Sequence, residues 1–432
     1  MILHPCGGFF RPGLIISSPS IRISLQKDLP LHRHYSNKAQ MRKLYILLLL
    51  LLGWCQVPVR AAEADSIRIS LMTCSPGSEI YALFGHTAIR VEVPAQHVDL
   101  VYNYGMFSFR TPNFIYRFVK GETDYELGII PYPYFEDEYA RRGSYVVQQE
   151  LNLLPAEKER LLHILQTNYL PENRTYRYNY FYDNCTTRAR DKIEESIDGK
   201  VVYPVGREAV TLRQIVHRFT AGHPWSEFGI DLCLGAEADR AVDMRTRMFA
   251  PFVMKAEADS AVIRQADGGI RPFVKATTRV VDPKARLLEE EFPLSPMTCA
   301  CLVLALAVLV SWTEWRYRVA GWWLDILLFA MQGLGGCIIA FLFFFSVHPT
   351  VGSNYLLIIL NPIPLVYLPW MVYKAVKRRR DVYHWGNAGV LTLFMVFWWL
   401  IPQKITLVIV PLALSLLLRS VTRLYVTRKR NR

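Results

Sequence analysis

The chain of 432 residues carries 50 Lys and Arg against 37 Asp and Glu, which gives a formal net charge of +13. Its hydrophobic fraction of 52% excludes a largely disordered chain and exceeds that of an ordinary soluble enzyme. The densest basic runs, at 377–380 and 428–430, flank long apolar segments. This placement favours a membrane protein and argues against a nucleic-acid partner.

The first element in chain order is a predicted secretory signal at residues 41–62. Met41 begins a short basic stretch, six leucines follow at 47–52, and small residues end the segment. Signal peptides have this order of a basic region, an apolar core and a cleavage region of small residues. Residues 1–40 lack a comparable pattern, so we predict that they are a non-native upstream extension and that Met41 is the start.

Residues 63–291 are long enough for one extracytoplasmic domain with its own core. Alternating apolar residues predict strands, and helical spacing predicts two helices. The predicted strands are 66–72, 84–93, 98–105 and 145–153, the helices are 156–169 and 185–197, and 176–182 is extended. Strands and helices follow each other without a βαβ rhythm, which indicates an α+β fold.

Residues 292–420 are predicted to form an all-α membrane bundle of five helices. The predicted spans are 297–312, 321–347, 354–374, 385–401 and 404–418, and a basic cytoplasmic tail is predicted at 421–432. The second and third spans reach the roughly 20 residues that a bilayer requires, whereas the others are short. A signal exports the preceding domain, so five spans put the C-terminus inside, and the basic loops indicate the same orientation.

The segment 180–187 contains a candidate nucleophile. Asp183 or Asn184 is a suitable helix cap, which places Cys185 in the first turn of the next helix. Unpaired N–H groups and the positive dipole end favour a thiolate there, and they can also stabilise an oxyanion. The alternative is a buried structural cysteine or half of a disulfide.

A candidate base lies in the segment 84–90, where His86 shares a strand face with Ala88 and Arg90. Asn103 lies on the next predicted strand, where it can orient the imidazole. The alternatives are a structural histidine and an ordinary strand-end asparagine. The domain has no Cys-x-x-Cys or His-x-x-x-His spacing, so we predict neither a metal nor another cofactor.

These blocks resemble the bacterial intramolecular lipoprotein N-acyltransferases, the lyso-form lipoprotein transacylases. The residues that carry the resemblance are 75–77, 84–90, 102–105, 179–187, 248–251 and 360–364. The order of histidine, polar residue and helix-opening cysteine is similar to that of circularly permuted NlpC/P60 (papain-like) domains. The resemblance implies such a cysteine domain followed by a five-helix membrane domain.

The resemblance also implies an activity. One acyl chain moves from the diacylglyceryl group of a lipoprotein to its N-terminal amine, through a thioester on Cys185, with His86 as base and Asn103 as orienting residue. The partners are diacylated lipoproteins and membrane lipid. The location is the bacterial inner membrane, with the catalytic domain periplasmic. Further substrate-binding candidates are Asn184, Tyr182, Arg90, His348 and Asn354.

Two other functions are compatible with these residues. A membrane-anchored NlpC/P60-type peptidase or amidase would use the same pair of residues on the cell wall, because fold alone does not decide function. Five spans exceed what a simple tether needs, which favours the lipid substrate. The second alternative is a non-catalytic membrane scaffold in which Cys185 is structural.

Overall fold

The computed structural model describes residues 67–108, 110–204, 208–283, 292–319, 321–377 and 379–428. The predicted signal at 41–62, the upstream segment 1–40 and residues 429–432 of the predicted tail therefore lie outside the described residues.

A seven-stranded sheet in the order β12-β5-β1-β2-β3-β4-β6 forms the centre of the N-terminal domain, and all of its neighbours are antiparallel. The twelve described strands are β1 (Arg68–Cys74), β2 (His86–Val93), β3 (Val98–Met106), β4 (Asp124–Pro131), β5 (Val146–Leu151), β6 (Thr175–Arg177), β7 (Lys200–Val202), β8 (Val210–Thr211), β9 (Ala241–Val242), β10 (Val262–Arg264), β11 (Ile270–Pro272) and β12 (Val274–Val281). Strands β11-β10-β7 and β8-β9 form two smaller sheets.

Helices cover both faces of the large sheet. The helices of this domain are α1 (Phe114–Lys120), α2 (Tyr132–Arg141), α3 (Pro155–Tyr169), α4 (Cys185–Ser196), α5 (Leu212–Thr220), α6 (Pro224–Cys233), α7 (Met244–Arg247) and α8 (Pro251–Ser260). Side chains alternate across a strand, so Ile89 and Val91 of β2 enter the core under α3 and α4, whereas Ala88 enters the core under α2. The mixed α and β content agrees with the predicted class.

The predicted strands 66–72, 84–93, 98–105 and 145–153 correspond to β1, β2, β3 and β5, and the predicted helices correspond to α3 and α4. The prediction that 176–182 is extended is correct only for its first residues, which belong to β6. Asn179 accepts hydrogen bonds from the N–H groups of Phe181 and Tyr182, and it forms a bridge with Asp183. This side-chain turn ends the strand and brings the chain round to α4.

The C-terminal domain contains five described helices, α9 (Pro296–Tyr317), α10 (Trp323–Phe345), α11 (Ile363–Val376), α12 (Val382–Phe397) and α13 (Ile409–Arg428). Four described segments are long and apolar enough to cross a membrane: Pro296–Tyr317, Trp323–Phe345, Tyr355–Val376 and Ile409–Thr427. Helix α12 has 16 residues, fewer than a full span requires. Five crossings therefore stay a prediction at that helix.

The predicted boundary at 420 is wrong, because α13 runs from Ile409 to Arg428 and includes residues assigned to the fifth span and to the tail. Arg419 and Arg423 are buried and both bind Asp325, and Arg419 also binds Glu314 at 2.9 Å. Residues 421–428 resemble a solvated tail in sequence, but Arg423 is paired with a carboxylate of another helix.

The two domains dock through polar contacts at one end of the helical bundle. Asn354 donates to the carbonyl of Leu232 at 2.7 Å, and Gln403 donates to the carbonyl of Leu234 at 2.9 Å. The segment that begins at Leu234 is in turn held by the fully buried Arg213, which donates to the same Leu234 carbonyl at 3.0 Å. The N-terminal domain is therefore fixed to the bundle.

Candidate active site

The start of α4 is built by a side-chain cap. Asn184 Oδ1 accepts from the N–H groups of Thr186 and Thr187 at 2.9 Å each, and Thr187 Oγ1 accepts from the Asn184 N–H at 2.8 Å. This reciprocal pair satisfies N–H groups that a helix start otherwise leaves unpaired. Cys185 is consequently the first residue of the helix, at its positive dipole end.

Cys185 lies where the helix start meets the ends of β2 and β3. It is 9% exposed, and the Thr87 N–H of β2 hydrogen-bonds its sulfur. The hydroxyl groups of Thr87 and Thr186 lie 3.0 Å apart and tie the strand to the helix. Gly105 of β3 is so close that a Cβ there would lie 3.5 Å from that of Cys185.

His86 and Asn103 complete the arrangement. His86 Nε2 hydrogen-bonds Asn103 Oδ1, and the same imidazole hydrogen-bonds Cys185. Because Nε2 donates to Asn103, Nδ1 is the ring nitrogen left for the thiol. The preceding Gly85 has φ +77°, and a Cβ there would lie 2.5 Å from the Cys74 carbonyl oxygen. The sequence prediction that His86, Asn103 and Cys185 come together agrees with these contacts.

Electrostatics favour an ion pair between the sulfur and the imidazole. Burial opposes the thiolate, but the charge and hydrogen bond of His86 outweigh it, so the pKa of Cys185 is lowered. Burial likewise opposes the imidazolium, and the charge of Cys185 together with hydrogen bonds from Cys185 and Asn103 raises the pKa of His86. These opposite shifts are typical of a reactive cysteine.

Tyr176 is a site residue that the sequence did not single out for catalysis. Its hydroxyl oxygen lies 3.9 Å from a Cβ placed on Gly105, the position that also contacts Cys185. It is buried and has no hydrogen-bond partner among the described residues. Burial, and next the charge of Cys185, raises the pKa of Tyr176 well above its ordinary value, so the hydroxyl keeps its proton and can donate it.

The polar groups of Arg90 and Asn184 are hydrogen-bonded to other parts of the protein. Arg90 forms hydrogen bonds with Asp99 at 2.7 and 2.8 Å and with Gln148 at 2.8 Å, and it stacks 3.4 Å above the Tyr132 ring. That ring belongs to the core under α2, across the sheet from α4. Asn184 is 4% exposed, and its amide donates to two backbone carbonyls besides capping the helix. Neither placement fits a substrate contact.

The other three substrate-binding candidates have different surroundings. Tyr182 is 49% exposed beside the helix start, so a substrate contact stays a prediction there. His348 lies 2.6 Å from the Phe118 carbonyl oxygen of α1, and Asn354 is buried in the domain interface described above. Asn354 therefore joins the domains instead of reaching a substrate, whereas a substrate contact at His348 stays a prediction.

The segment before α8 supports the site, and its role could not be read from the sequence. The Phe249 carbonyl accepts from the Asn184 amide at 2.9 Å, and the Arg245 carbonyl accepts from Arg190 of α4 at 2.7 Å. Met248 and Ala250 are fully buried. Residues 245–250 therefore help to hold the start of α4 in place.

The remaining cysteines differ chemically from Cys185. All six cysteines in the described part of the chain are free thiols. Burial raises the pKa of Cys74, and it raises the pKa of Cys233 to about 11. Within the described ranges, no group of three His, Cys, Asp or Glu side chains is placed to hold a metal ion.

Two protein-family models match the chain. The sequence model of the Lnb N-terminal periplasmic domain matches residues 56–218, and that of the Lnb transmembrane domain matches residues 288–431. The chain belongs to the Lnb family. Lnb proteins are lipoprotein N-acyltransferases, so the family predicted from the sequence is confirmed. No match was found among curated proteins or among solved structures.

Membership of the Lnb family has two direct consequences. The chain is a multi-pass membrane protein with a periplasmic domain, and the family indicates an enzyme that modifies lipoproteins. The Lnb periplasmic match contains His86, Asn103 and Cys185, and the Lnb membrane match contains all five C-terminal helices as far as Arg428. The likeness to permuted NlpC/P60 domains stays a prediction.

Proposed function

We propose that this Lnb protein transfers an acyl chain from the diacylglyceryl group of a lipoprotein to the amine of its N-terminal cysteine. The observation that carries the proposal is the contact of Cys185 with His86 at a helix start, with Asn103 on the far ring nitrogen. A cysteine activated by a base that a third group orients is the general arrangement for acyl transfer through a covalent intermediate.

The first step forms a thioester. His86 holds the proton of Cys185, and Sγ attacks the ester carbonyl carbon. The new S–C bond forms and the ester C–O bond breaks, and the imidazolium gives its proton to the departing glyceryl oxygen. The Cys185 N–H at the helix start donates one hydrogen bond to the oxyanion, and the Tyr176 hydroxyl, which lies 3.9 Å from a Cβ placed on Gly105 and has no partner among the described residues, donates a second.

The second step forms the amide. The neutral N-terminal amine attacks the thioester carbonyl carbon, the N–C bond forms, and the C–S bond breaks. One amine proton passes to His86, which restores the pair with the Cys185 thiolate. The product is a lyso-form lipoprotein with one acyl chain on nitrogen. Closing the site against water favours this transfer over hydrolysis.

The attachment of the domain to the bundle supports a lipid substrate. Both reacting groups of a lipoprotein N-terminus lie at the bilayer surface, and the contacts of Asn354 and Gln403 fix the domain beside the apolar helices. We propose the bacterial inner membrane as the location, with five crossings and a cytoplasmic C-terminus, as the charge distribution indicates.

Mass spectrometry of a synthetic diacylated lipopeptide tests the proposal. Transfer within one molecule leaves the total mass unchanged but makes one acyl chain resistant to mild alkali, because an amide replaces an ester. The purified protein in phospholipid vesicles should give this product, and Cys185→Ala and His86→Ala should not. Loss of one acyl chain as free acid would indicate a hydrolase, and an unaltered lipopeptide with the wild type would contradict the proposal.

A further inference from the structure

The short helix α1 is attached directly to the membrane domain. The Lys120 carbonyl accepts from the Val347 N–H at 2.9 Å, and the Val119 carbonyl accepts from the Ser346 hydroxyl at 2.9 Å. Gly121 follows with φ +79°, and a Cβ there would lie 2.9 Å from the backbone nitrogen of His348. The end of α1 therefore lies against the chain that leaves α10.

Helix α1 also presents apolar side chains beside the last turns of α10, one of the candidate membrane spans. The Tyr116 ring lies 6.0 Å from the ring of Phe341, which precedes the end of α10 by four residues, or about one helical turn. Ile115 is 76% exposed and Phe118 is 47% exposed. Exposed apolar residues beside a spanning helix are typical of an element in contact with lipid.

A continuous row of aromatic rings leads from this helix to the active site. We call it the aromatic track, and its members in order are Phe118, Phe114, Phe107, Tyr125 and Tyr178. Successive ring centroids are 6.0, 5.5, 5.0 and 4.1 Å apart. At the inner end, Tyr178 Cε2 lies 3.8 Å from a Cβ placed on Gly105, which contacts Cys185.

Burial alternates along the aromatic track. Phe118 is exposed and Phe107 and Tyr178 are partly buried, whereas Phe114 and Tyr125 are buried. The basic residues of α1 do not offer free charge to a phosphate, because Arg117 binds Asp124 at 2.6 Å and Lys120 binds Glu122 at 2.8 Å. These features fit a hydrocarbon chain better than an anionic headgroup.

We propose that the aromatic track binds the acyl chain that is transferred and guides it from the outer leaflet to Cys185. The inference rests on the proposed function, since it assigns the position of the acyl chain in that reaction. Aromatic faces provide a large apolar surface at low conformational cost, and this one joins the bilayer to the sulfur. The ester carbonyl then lies at the inner end, beside Gly105.

A charge on α1, the helix that carries the outer end of the aromatic track, tests the proposal. Ile115→Asp in phospholipid vesicles should lower acyl transfer at least tenfold and leave alkylation of Cys185 by iodoacetamide, a small water-soluble reagent, within twofold. The matched control is Ile270→Asp, an isoleucine that is 64% exposed on β11 and should leave both rates unchanged. Unchanged transfer in Ile115→Asp, or an equal fall of both rates, would overturn the proposal.

A second readout does not depend on catalysis. Cys185→Ala is placed in vesicles that contain a phospholipid with a diazirine on one acyl chain, and cross-linked peptides are mapped after irradiation. We expect cross-links both on α1 and at Phe107 or Tyr178. Cross-links on α1 alone would show that α1 only anchors the domain to the membrane surface, and they would refute the binding of an acyl chain along the aromatic track. If the wild type transfers no acyl chain, the proposed function fails, whereas this mapping still decides where the chain binds.

Discussion

The hydroxyl groups of Thr87 and Thr186 lie 3.0 Å apart in the core, although the two residues are 99 positions apart in the chain. Thr87 follows His86 on β2, and Thr186 follows Cys185 on α4. This hydrogen bond therefore helps to fix the two elements that carry the base and the nucleophile. Small displacements of reacting groups are costly, because catalysis depends on their orientation.

Removing one partner of this bond should affect both stability and activity. Thr186→Val leaves the buried Thr87 hydroxyl unpaired, which costs about 1–3 kcal/mol. We expect a lower Tm in detergent and a fall in acyl transfer of about tenfold. The double variant with Thr87→Val should recover part of the Tm. The matched control is Thr73→Val, whose buried hydroxyl has no partner among the described residues and should not lower the Tm. An unchanged Tm in Thr186→Val would refute the assigned bond.

Asn103 should act through the imidazole. Asn103→Ala removes a hydrogen bond that raises the pKa of His86 and holds its Nε2 proton, so we expect kcat to fall roughly 10- to 100-fold with little change in KM. Asn103→Asp keeps the acceptor and should retain more activity than the alanine variant. Steady-state kinetics on a lipopeptide check this. Equal activity of all three proteins would exclude Asn103 from the site.

The pKa shifts predict the pH dependence of thiol reactivity. The pKa of Cys185 is lowered, so its thiolate is present below the ordinary range of a thiol and is lost only as the pH falls through the lowered pKa. His86→Ala removes the opposing charge, burial then dominates, and the alkylation profile should move to higher pH. Cys74 and Cys233, whose pKa values are raised, serve as internal controls for peptide-resolved labelling. An unshifted profile in His86→Ala would contradict the pair.

The buried ion network of the helical domain should be sensitive to a single change. Arg419 binds Asp325, Glu314 and Ser311, and it is fully buried. Arg419→Met leaves the buried Glu314 without its cation and leaves Asp325 with Arg423 alone, and breaking a buried ion pair typically costs about 3–5 kcal/mol. We expect a clearly lower Tm in detergent, partly restored when Glu314→Gln is added, because Asp325 keeps its bond to Arg423. A single variant as stable as the wild type would show that α13 is not held by this network.

Local patterns in the sequence predicted the parts of the fold that local chemistry controls. Alternation identified β1, β2, β3 and β5, and the polar residues before Cys185 indicated the helix start. The site followed from the same features, because a cap and a strand end restrict where Cys185 and His86 can point. The sequence allowed either Asp183 or Asn184 as the cap, and the structure assigns Asn184, since Asp183 is bound to Arg188 at 2.6 Å.

Features that depend on tertiary pairing could not be predicted. Arg423 lay in the predicted cytoplasmic tail and Arg419 at the end of the predicted membrane domain, and their pairing could not be predicted because the buried carboxylates that neutralise them come from α9 and α10. Asn354 resembled a functional polar residue at a membrane boundary, whereas its partners are backbone groups of a distant helix. Tyr176 lies in the segment 176–182 that the sequence predicted only as extended, and the packing around Gly105 distinguishes it.

Trapping of the acyl-enzyme tests the central claim most directly. A diacylated lipopeptide with a blocked N-terminal amine can donate an acyl chain but cannot accept one, so the intermediate should accumulate. Intact-protein and peptide mass spectrometry should find one acyl group on Cys185, released by hydroxylamine and not formed in His86→Ala. An acyl group on another residue, or no acyl-enzyme in a wild-type protein that still acylates a free amine, would contradict the account.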